Sequence, residues 1–291
     1  MKSTIKNLIK IPSKRLLGVT DPRLSLNRAH TNIRKKIYRE KYNVKDLAEF
    51  LESLGVKYGD SIFVPSSWSE FYNFDGDVKE LILVLRELIG PKGNLAMPSN
   101  TALYQNGHIF NVRRTPTNAG IVAEYFRRTK GVERSIHLNS SVCVLGPDAH
   151  EIISNHQKSR TSWDENSPHH KLYSMNAKII ALGCGYFFTM GTPWHCVDSQ
   201  LIKENEFFKG IYMNEIQYEW VGKDGNVGSA QCLIRNAKTN LKFINKYLKD
   251  VPHINKKLSN LKGYSVEIKP LVDKGIDLAR KGITMYGRYK Q

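Results

Sequence analysis

Two apolar runs with an amphipathic helix pattern between them are the feature that most constrains how this chain can fold. The runs are GDSIFVPSS at residues 59–67 and GNLAMPSN at 93–100, and apolar residues recur at helical spacing from Val78 to Ile89. Continuous apolar runs of this length are typical of strands buried on both faces, and Asp77 is a suitable N-cap for the helix. Strand, helix and strand in this order predict a parallel crossover.

The same type of pattern continues on both sides of this unit. Residues 43–55 predict a helix that starts at an Asn and ends at a Gly, and AKIIALG at 177–183 predicts another buried strand. Farther on, residues 216–222 and 229–235 predict two strands joined by a turn, followed by a basic helical tail. We therefore expect a layered α/β/α domain with a largely parallel central sheet and a smaller mixed C-terminal portion.

Positive charge is concentrated at the start of the chain. The formal net charge is +17, and residues 1–45 hold thirteen Lys or Arg against two acidic residues. We predict a basic N-terminal extension over residues 1–43 and a single α/β domain over residues 44–291. Apolar residues interleave with lysines at 8–17, which suits either a solvated arm or a helix lying on an anionic membrane surface.

Cysteine spacing and hydropathy indicate a cytoplasmic protein. The four cysteines match neither a close-spaced zinc pattern nor a dense disulfide framework. No segment reaches the roughly 18 to 20 apolar residues needed to span a bilayer, and the start of the chain has no apolar run of signal-peptide length. Peripheral contact with the inner membrane face through the basic arm is the alternative that this pattern leaves open.

A His and an Asp shortly after the strand at 177–183 are the first candidates for catalysis. The segment is TPWHCVD, in which His195 and Asp198 lie three residues apart. Ligand sites of α/β sheets lie beyond the carboxyl ends of strands, and on a helix this spacing puts both side chains on one face. The carboxylate would then orient an imidazole that acts as a general base, although such a pair also occurs by chance.

Several ordered motifs resemble those of the aminoglycoside 3-N-acetyltransferase family. They are LGVKYGDSIFVPSSW at 54–68, DVKELILVLRELIGPKGNLAMPS at 77–99, the long stretch from Thr115 to Ala149, and Thr-x-x-His-x-x-Asp at 192–198. The resemblance covers roughly residues 44–200. Two departures are Pro65, where the family has His, and Asp198, where it has Glu.

The resemblance implies that residues 44–291 form a coenzyme A-dependent N-acyltransferase domain with three catalytic residues. His195 takes a proton from the attacking amine, and Asp198 orients the imidazole of His195. Thr192 hydrogen-bonds to the thioester carbonyl or helps to place the base. Because Asp is one methylene shorter than Glu, two arrangements are open: Asp198 contacts His195 directly, or a water molecule bridges the two side chains. An acyl-enzyme on Cys196 is an alternative that helix geometry disfavours, because adjacent residues of a helix point about 100° apart and His195 would not activate the thiol.

The resemblance also implies where the cofactor binds. Ser66 and Ser67 match serines near the pantetheine and pyrophosphate of coenzyme A, with an ordinary turn as the alternative. Arg134 and Ser135 match an Arg-Ser pair that binds phosphate or, equally, holds the wall of the cleft. The expected co-substrate is acetyl-CoA or another acyl-CoA, and no metal is expected.

The identity of the second substrate is the least constrained expectation. Because the chain is basic, we expect the amine of an amino sugar, either nucleotide-linked or lipid-linked, in surface polysaccharide biosynthesis. The first alternative is an aminoglycoside 3-N-acetyltransferase that confers antibiotic resistance, which acidic residues such as Glu204, Glu206 and Glu215 beside the cleft would indicate. The other is a non-catalytic basic binding protein; no nucleic-acid-binding motif is present.

Overall fold

The computed structural model describes residues 33–102, 107–184 and 186–289, without the side chains of residues 186–192. The chain divides into two units, Met1–Lys41 and Tyr42–Gln291. In the first unit residues 33–37 are helical, and the amphipathic pattern at 8–17 lies outside the described residues. The predicted domain boundary at residue 43 therefore stays a prediction. None of the described helices is long and apolar enough to cross a membrane.

The second unit alternates strands and helices along the chain. The strands are β1 (Ser61–Phe63), β2 (Asn94–Pro98), β3 (Ile109–Asn111), β4 (Glu133–Arg134), β5 (Val142–Leu145), β6 (Lys178–Leu182), β7 (Asn214–Val221), β8 (Val227–Ile234), β9 (His253–Leu258), β10 (Leu261–Glu267), β11 (Ile283–Thr284) and β12 (Gly287–Arg288). The α-helices are α1 (Val44–Ser53), α2 (Val78–Ile89), α3 (Ile121–Arg128), α4 (Ala149–Ile153), α5 (Pro168–Ser174), α6 (Tyr186–Leu201), α7 (Glu206–Ile211), α8 (Leu241–Asn245) and α9 (Ile268–Arg280). Short 3-10 helices span Trp68–Glu70 and His156–Lys158.

A seven-stranded sheet with the order β4-β5-β2-β1-β6-β10-β9 forms the centre of this unit. β1 pairs in parallel with both β2 and β6, which confirms the predicted crossover from β1 through α2 to β2. The flanking pairs are antiparallel, and only β5 and β10 run against the common direction of the other five strands. The predicted α/β class and largely parallel sheet are thus confirmed.

Alternating side chains of the central strands face two helical layers. Ile62 points into a core shared with α1 and α2, whereas the next residue, Phe63, points into a core shared with α6 and α9. The first helices begin as the sequence predicts, because Asn43 and Asp77 each form a capping box with the residue three positions later. Burial on both faces explains why β1, β2 and β6 read as continuous apolar runs.

The C-terminal third departs from the predicted helical tail. β9 and β10 form an antiparallel hairpin that extends the central sheet beyond β6, and only α9 follows as a long helix. β9 is an exposed edge strand with the sequence HINKKL, so it lacks the apolar signal that marks the central strands. A separate mixed sheet, β3-β7-β8, contains the two strands predicted on either side of residue 224.

Close packing between α6 and α9 fixes the position of α6. Trp194 of α6 is 1% exposed and lies against Gly275 of α9. A Cβ atom at residue 275 would come within 2.6 Å of the Trp194 ring. The glycine therefore lets the two helices approach, and the residue after Trp194 is His195.

Candidate active site

The predicted pair His195 and Asp198 lies on one face of α6, next to the core. His195 is 7% exposed and Asp198 is 1% exposed. The Nδ1 atom of His195 lies 3.6 Å from the Oδ2 atom of Asp198. This separation is too long for a strong hydrogen bond but places the carboxylate charge directly beside the ring. The shorter Asp side chain thus faces the imidazole without a close direct contact.

Two tyrosines complete the surroundings of Asp198. The hydroxyl of Tyr212, just after α7, donates to Oδ2 at 3.2 Å, and the hydroxyl of Tyr286, between β11 and β12, donates to the same oxygen. Burial, and then the charge of Asp198, raise the pKa of both tyrosines, so each stays protonated as a donor. These bonds satisfy a carboxylate that would otherwise be buried without partners.

His195 is surrounded by an aromatic ring and a guanidinium. Its ring centroid lies 4.3 Å from that of Trp163. The Nη1 atom of Arg235, which follows β8, lies 2.8 Å from Nδ1 and 2.7 Å from Nε2. Burial lowers the pKa of His195 to about 4, the charge of Arg235 lowers it further, and Asp198 opposes both effects. The imidazole is therefore neutral near pH 7, with a lone pair that can take a proton.

Two other residues of α6 were candidates for chemistry. Thr192 lies on this helix, but its side chain is outside the described part of the structure. Cys196 is completely buried in the core, and burial raises the pKa of its thiol well above the ordinary value. A buried thiol that stays protonated is a poor nucleophile, so the structure does not support an acyl-enzyme on Cys196.

Ser66 and Ser67 line a cleft of about 780 Å³ at the carboxyl ends of β1, β2 and β6. Gly120 and Ile121, where α3 begins, lie on its other side. Gly120 is the N-cap of α3 and makes no side-chain cap bond, which leaves the first N–H groups of the helix open to a ligand. Hydroxyls and a helix N-terminus suit the anionic oxygens of a pyrophosphate.

Arg134 and Ser135, the other two residues of the predicted cofactor site, lie buried inside the fold. Arg134 is 5% exposed and donates to three backbone carbonyls and to the hydroxyl of Ser141. Ser135 is completely buried, where its hydroxyl contacts Nδ1 of His156 at 2.8 Å and accepts from a backbone N–H. Because their polar atoms are used inside the protein, these contacts match the alternative in which the pair holds the wall of the cleft, and the contact with a phosphate stays a prediction.

Three further histidines lie fully buried beneath the site. His137 and His156 stack with their ring centroids 4.4 Å apart, and His169 packs edge-on against Phe63. Burial lowers the pKa of all three, so they are neutral in the folded chain. Within the described residues, no group of three or more His, Cys, Asp or Glu side chains could hold a metal ion.

The acidic residues that were expected to mark an aminoglycoside site lie at the surface in ion pairs. Glu204 pairs with Arg280, Glu206 pairs with Lys209, and Glu215 pairs with Arg160. Their side chains are 54%, 84% and 40% exposed. None of the three lines the cleft that contains Ser66 and Ser67.

Sequence reasoning missed four residues that the fold brings to His195 and Asp198, namely Trp163, Tyr212, Arg235 and Tyr286. Arg235 is 40 positions from His195, and Tyr286 is 88 positions from Asp198. They belong to different elements and share no spacing with the TPWHCVD segment. Only the tertiary structure could have identified them.

Comparison with known proteins gives one consistent family. The sequence model described as aminoglycoside 3-N-acetyltransferase matches residues 63–276. The SPbeta prophage-derived aminoglycoside N(3')-acetyltransferase-like protein YokD of Bacillus subtilis is 24% identical over 265 residues, which cover 75% of this chain and 94% of that protein. Aminoglycoside N(3)-acetyltransferase IV of a Salmonella species is 30% identical over 138 residues, which cover 47% of this chain and 51% of that protein.

A solved structure supports the same conclusion at the level of the fold. The structure of AAC-IIIb in a binary complex with CoASH superposes with a TM-score of 0.70 at 17% identity, covering 87% of this chain and all of that one. The family match spans most of the chain, from β1 into α9, and includes the helix that carries His195. This chain therefore belongs to the aminoglycoside 3-N-acetyltransferase family of acetyl-CoA-dependent enzymes.

Proposed function

We propose that this protein transfers an acetyl group from acetyl-CoA to an amine of an aminoglycoside-type amino sugar, with His195 as general base. The observation that carries the proposal is the neutral, buried imidazole of His195 beside Asp198, on the helix that the family motif predicts. The names of the relatives in Bacillus and Salmonella favour an aminoglycoside. They give no support to the nucleotide-linked or lipid-linked sugar that net charge suggested.

His195 supports the reaction because an amine must lose a proton as it becomes an amide. The nitrogen attacks the thioester carbonyl, the C–N bond forms, and the C–S bond then breaks to release the thiol of coenzyme A. A base whose pKa is about 4 is too weak to deprotonate a free ammonium. It can take the proton as the C–N bond forms, when the nitrogen becomes far more acidic.

Asp198 acts by orienting and stabilising the base. A carboxylate beside Nδ1 favours the tautomer with its proton on Nδ1, which leaves the lone pair on Nε2 for the substrate. The same charge stabilises the imidazolium that forms during the reaction. Tyr212 and Tyr286 hold the carboxylate in place, and so they are positioning residues.

Ser66, Ser67 and the start of α3 are proposed to hold coenzyme A. The cleft that they line lies where parallel strands end, which is the usual ligand-binding edge of an open α/β sheet. Coenzyme A supplies the acetyl group as a thioester. Serine hydroxyls and unpaired helix N–H groups can bind its anionic part without any basic side chain. Arg134 has no part in this proposal.

The test measures free thiol release from acetyl-CoA with a panel of aminoglycosides, for the full chain and for His195→Ala. We expect release in the wild type and a loss of roughly 100-fold or more in the variant, the usual size of a general-base contribution. Cys196→Ala is the matched control on the same helix and should keep its activity. Loss of activity in Cys196→Ala but not in His195→Ala would overturn the proposed mechanism.

Coenzyme A binding gives the second measurement. Calorimetry should show binding to the wild type and to His195→Ala, and weaker binding to a Ser66→Ala, Ser67→Ala double variant. If the wild type neither binds coenzyme A nor releases thiol with any amine, the proposed function is wrong.

A further inference from the structure

The turn at residues 111–115, between β3 and α3, is fixed by hydrogen bonds to its backbone. The Oδ1 atom of Asn111 accepts from the backbone N–H groups of Arg113 and Arg114 at 3.0 and 2.8 Å. Arg134, which is buried behind the turn, donates to the carbonyls on either side of this pair at 3.3 and 2.5 Å. The backbone from which the two exposed arginine side chains extend is therefore held in place.

Three cationic side chains surround one pocket at this turn. Arg113 and Arg114 line it together with Lys223, at the tip of the β7–β8 hairpin, and its volume is about 500 Å³. All three are exposed, and among the described residues none of them forms an ion pair. Asp224 is the single acidic residue in the lining, so the pocket is positively charged. Exposed cations around one concave surface suit an anionic ligand.

The pocket lies close to the cleft that is proposed to hold coenzyme A. Thr115 ends the turn, and Asn118 and Gly120 line the cleft. The five residues that lead from Thr115 to Gly120 span at most about 18 Å even when fully extended. None of the described residues that line the cleft is charged. The nearby pocket therefore supplies the positive charge that the cleft lacks.

We propose that Arg113, Arg114 and Lys223 form the subsite that binds the 3′-phosphate of coenzyme A. This inference rests on the proposed acetyltransferase function, in which coenzyme A occupies the cleft. Serine hydroxyls and helix N–H groups suit the diphosphate, whereas a phosphate monoester carries about −1.5 to −2 charges near pH 7 and is bound best by forked guanidinium groups. Because the turn is fixed before the ligand arrives, binding costs little ordering of the backbone.

The test compares coenzyme A with dephospho-coenzyme A, which differs only in lacking the 3′-phosphate. Calorimetry with the full chain should show that the wild type binds coenzyme A about tenfold more tightly, as one charge-assisted hydrogen bond gives. Arg113→Gln, Arg114→Gln and Lys223→Gln should each reduce this ratio of affinities. Lys281→Gln removes an exposed positive charge at the end of α9 and should leave the ratio unchanged.

Asp224 gives a test of the opposite sign. Its carboxylate belongs to the same pocket and repels a phosphate, so Asp224→Asn should raise the ratio of affinities. Damage to the structure of the turn would instead weaken both ligands alike. Because the charged groups are exposed, the ratio in the wild type should also fall as salt is added.

The inference is wrong if the wild type binds both ligands equally, or if the arginine variants weaken both by the same factor; thiol release in that case leaves the proposed function standing. If neither ligand binds and no amine releases thiol, the proposed function fails, and adenosine 3′,5′-bisphosphate tests the subsite alone. It must then bind the wild type more tightly than adenosine 5′-phosphate and lose this advantage in Arg114→Gln, or the subsite is refuted as well.

Discussion

Acidification should destabilise this fold steeply because four buried histidines are neutral in it. Burial, as the largest cause, lowers the pKa to about 3 in His137 and His169, to about 4 in His195, and well below 6.5 in His156. In the unfolded chain the ordinary pKa is about 6.5. Below that pH the unfolded state binds more protons than the folded state. The stabilisation is therefore complete above about pH 6.5 and is lost as the pH falls.

The size of the effect follows from these pKa values. Between about pH 7.5 and pH 5.5, each histidine with a folded pKa near 3 or 4 lowers the free energy of unfolding by about 1.4 kcal/mol. The four together give roughly 5 kcal/mol, which is a large part of the 5–15 kcal/mol that holds a typical protein folded. The chain should begin to unfold in mild acid.

Urea denaturation followed by tryptophan fluorescence at the two pH values measures this difference. His169→Gln removes one of the four groups and should reduce the pH dependence by about 1.4 kcal/mol, whatever it does to stability at neutral pH. His150, whose side chain is 83% exposed, is the matched control, and His150→Gln should leave the pH dependence unchanged. A free energy of unfolding that changes by less than roughly 1 kcal/mol between the two pH values would refute the reasoning.

Two more predictions concern the packing and positioning of α6. Gly275→Ala should lower the free energy of unfolding by about 1–3 kcal/mol, because the added Cβ would press on the ring of Trp194. Gly210→Ala is the control and should leave the free energy of unfolding unchanged, because a Cβ there meets nothing within 4 Å. Thermal unfolding of both variants measures the difference. Tyr286→Phe removes one of two tyrosine donors to Asp198, so the charge of the carboxylate acts more strongly on His195 and should raise the pKa of the base. The acid limb of the kcat/KM profile should then move to higher pH, and an unchanged profile would exclude a positioning role for that tyrosine.

The sequence predicts the parts of the fold whose signal is local. β1, β2 and β6 are buried on both faces and read as apolar runs, while Asn43 and Asp77 mark where α1 and α2 begin. β9 was missed because an exposed edge strand needs no apolar run, and five of its residues face solvent. β10 is mostly buried between β6 and β9, but its sequence LKGYSVE contains no continuous apolar run. Local patterns therefore describe the middle of the sheet and fail at its edge.

The candidate site likewise contains residues that the sequence predicts and residues that it does not. His195 and Asp198 are three residues apart on one helix, so their spacing predicts that they meet. Arg134 matches a family motif, but the motif does not tell whether an arginine points into a cleft or inward, and here its donors bind backbone carbonyls. Tyr286 and Arg235 reach the site from distant elements, so no spacing in the sequence indicates them.

The net charge of the chain does not decide which amine is acetylated. Most of the +17 belongs to residues 1–45, which lie largely outside the described structure, and exposed charges are screened in salt over about 8–10 Å. Such a field can attract a polyanion to the protein but cannot choose which amine reaches the base. Arg235 is partly buried, and its Nη1 atom lies 2.8 Å from Nδ1 and 2.7 Å from Nε2 of His195, so its charge acts directly on the base. Neutralising the lysines of residues 1–45 should therefore leave the ratio of kcat/KM between any two amines unchanged, as measured by thiol release from acetyl-CoA, and a changed ratio would contradict this argument.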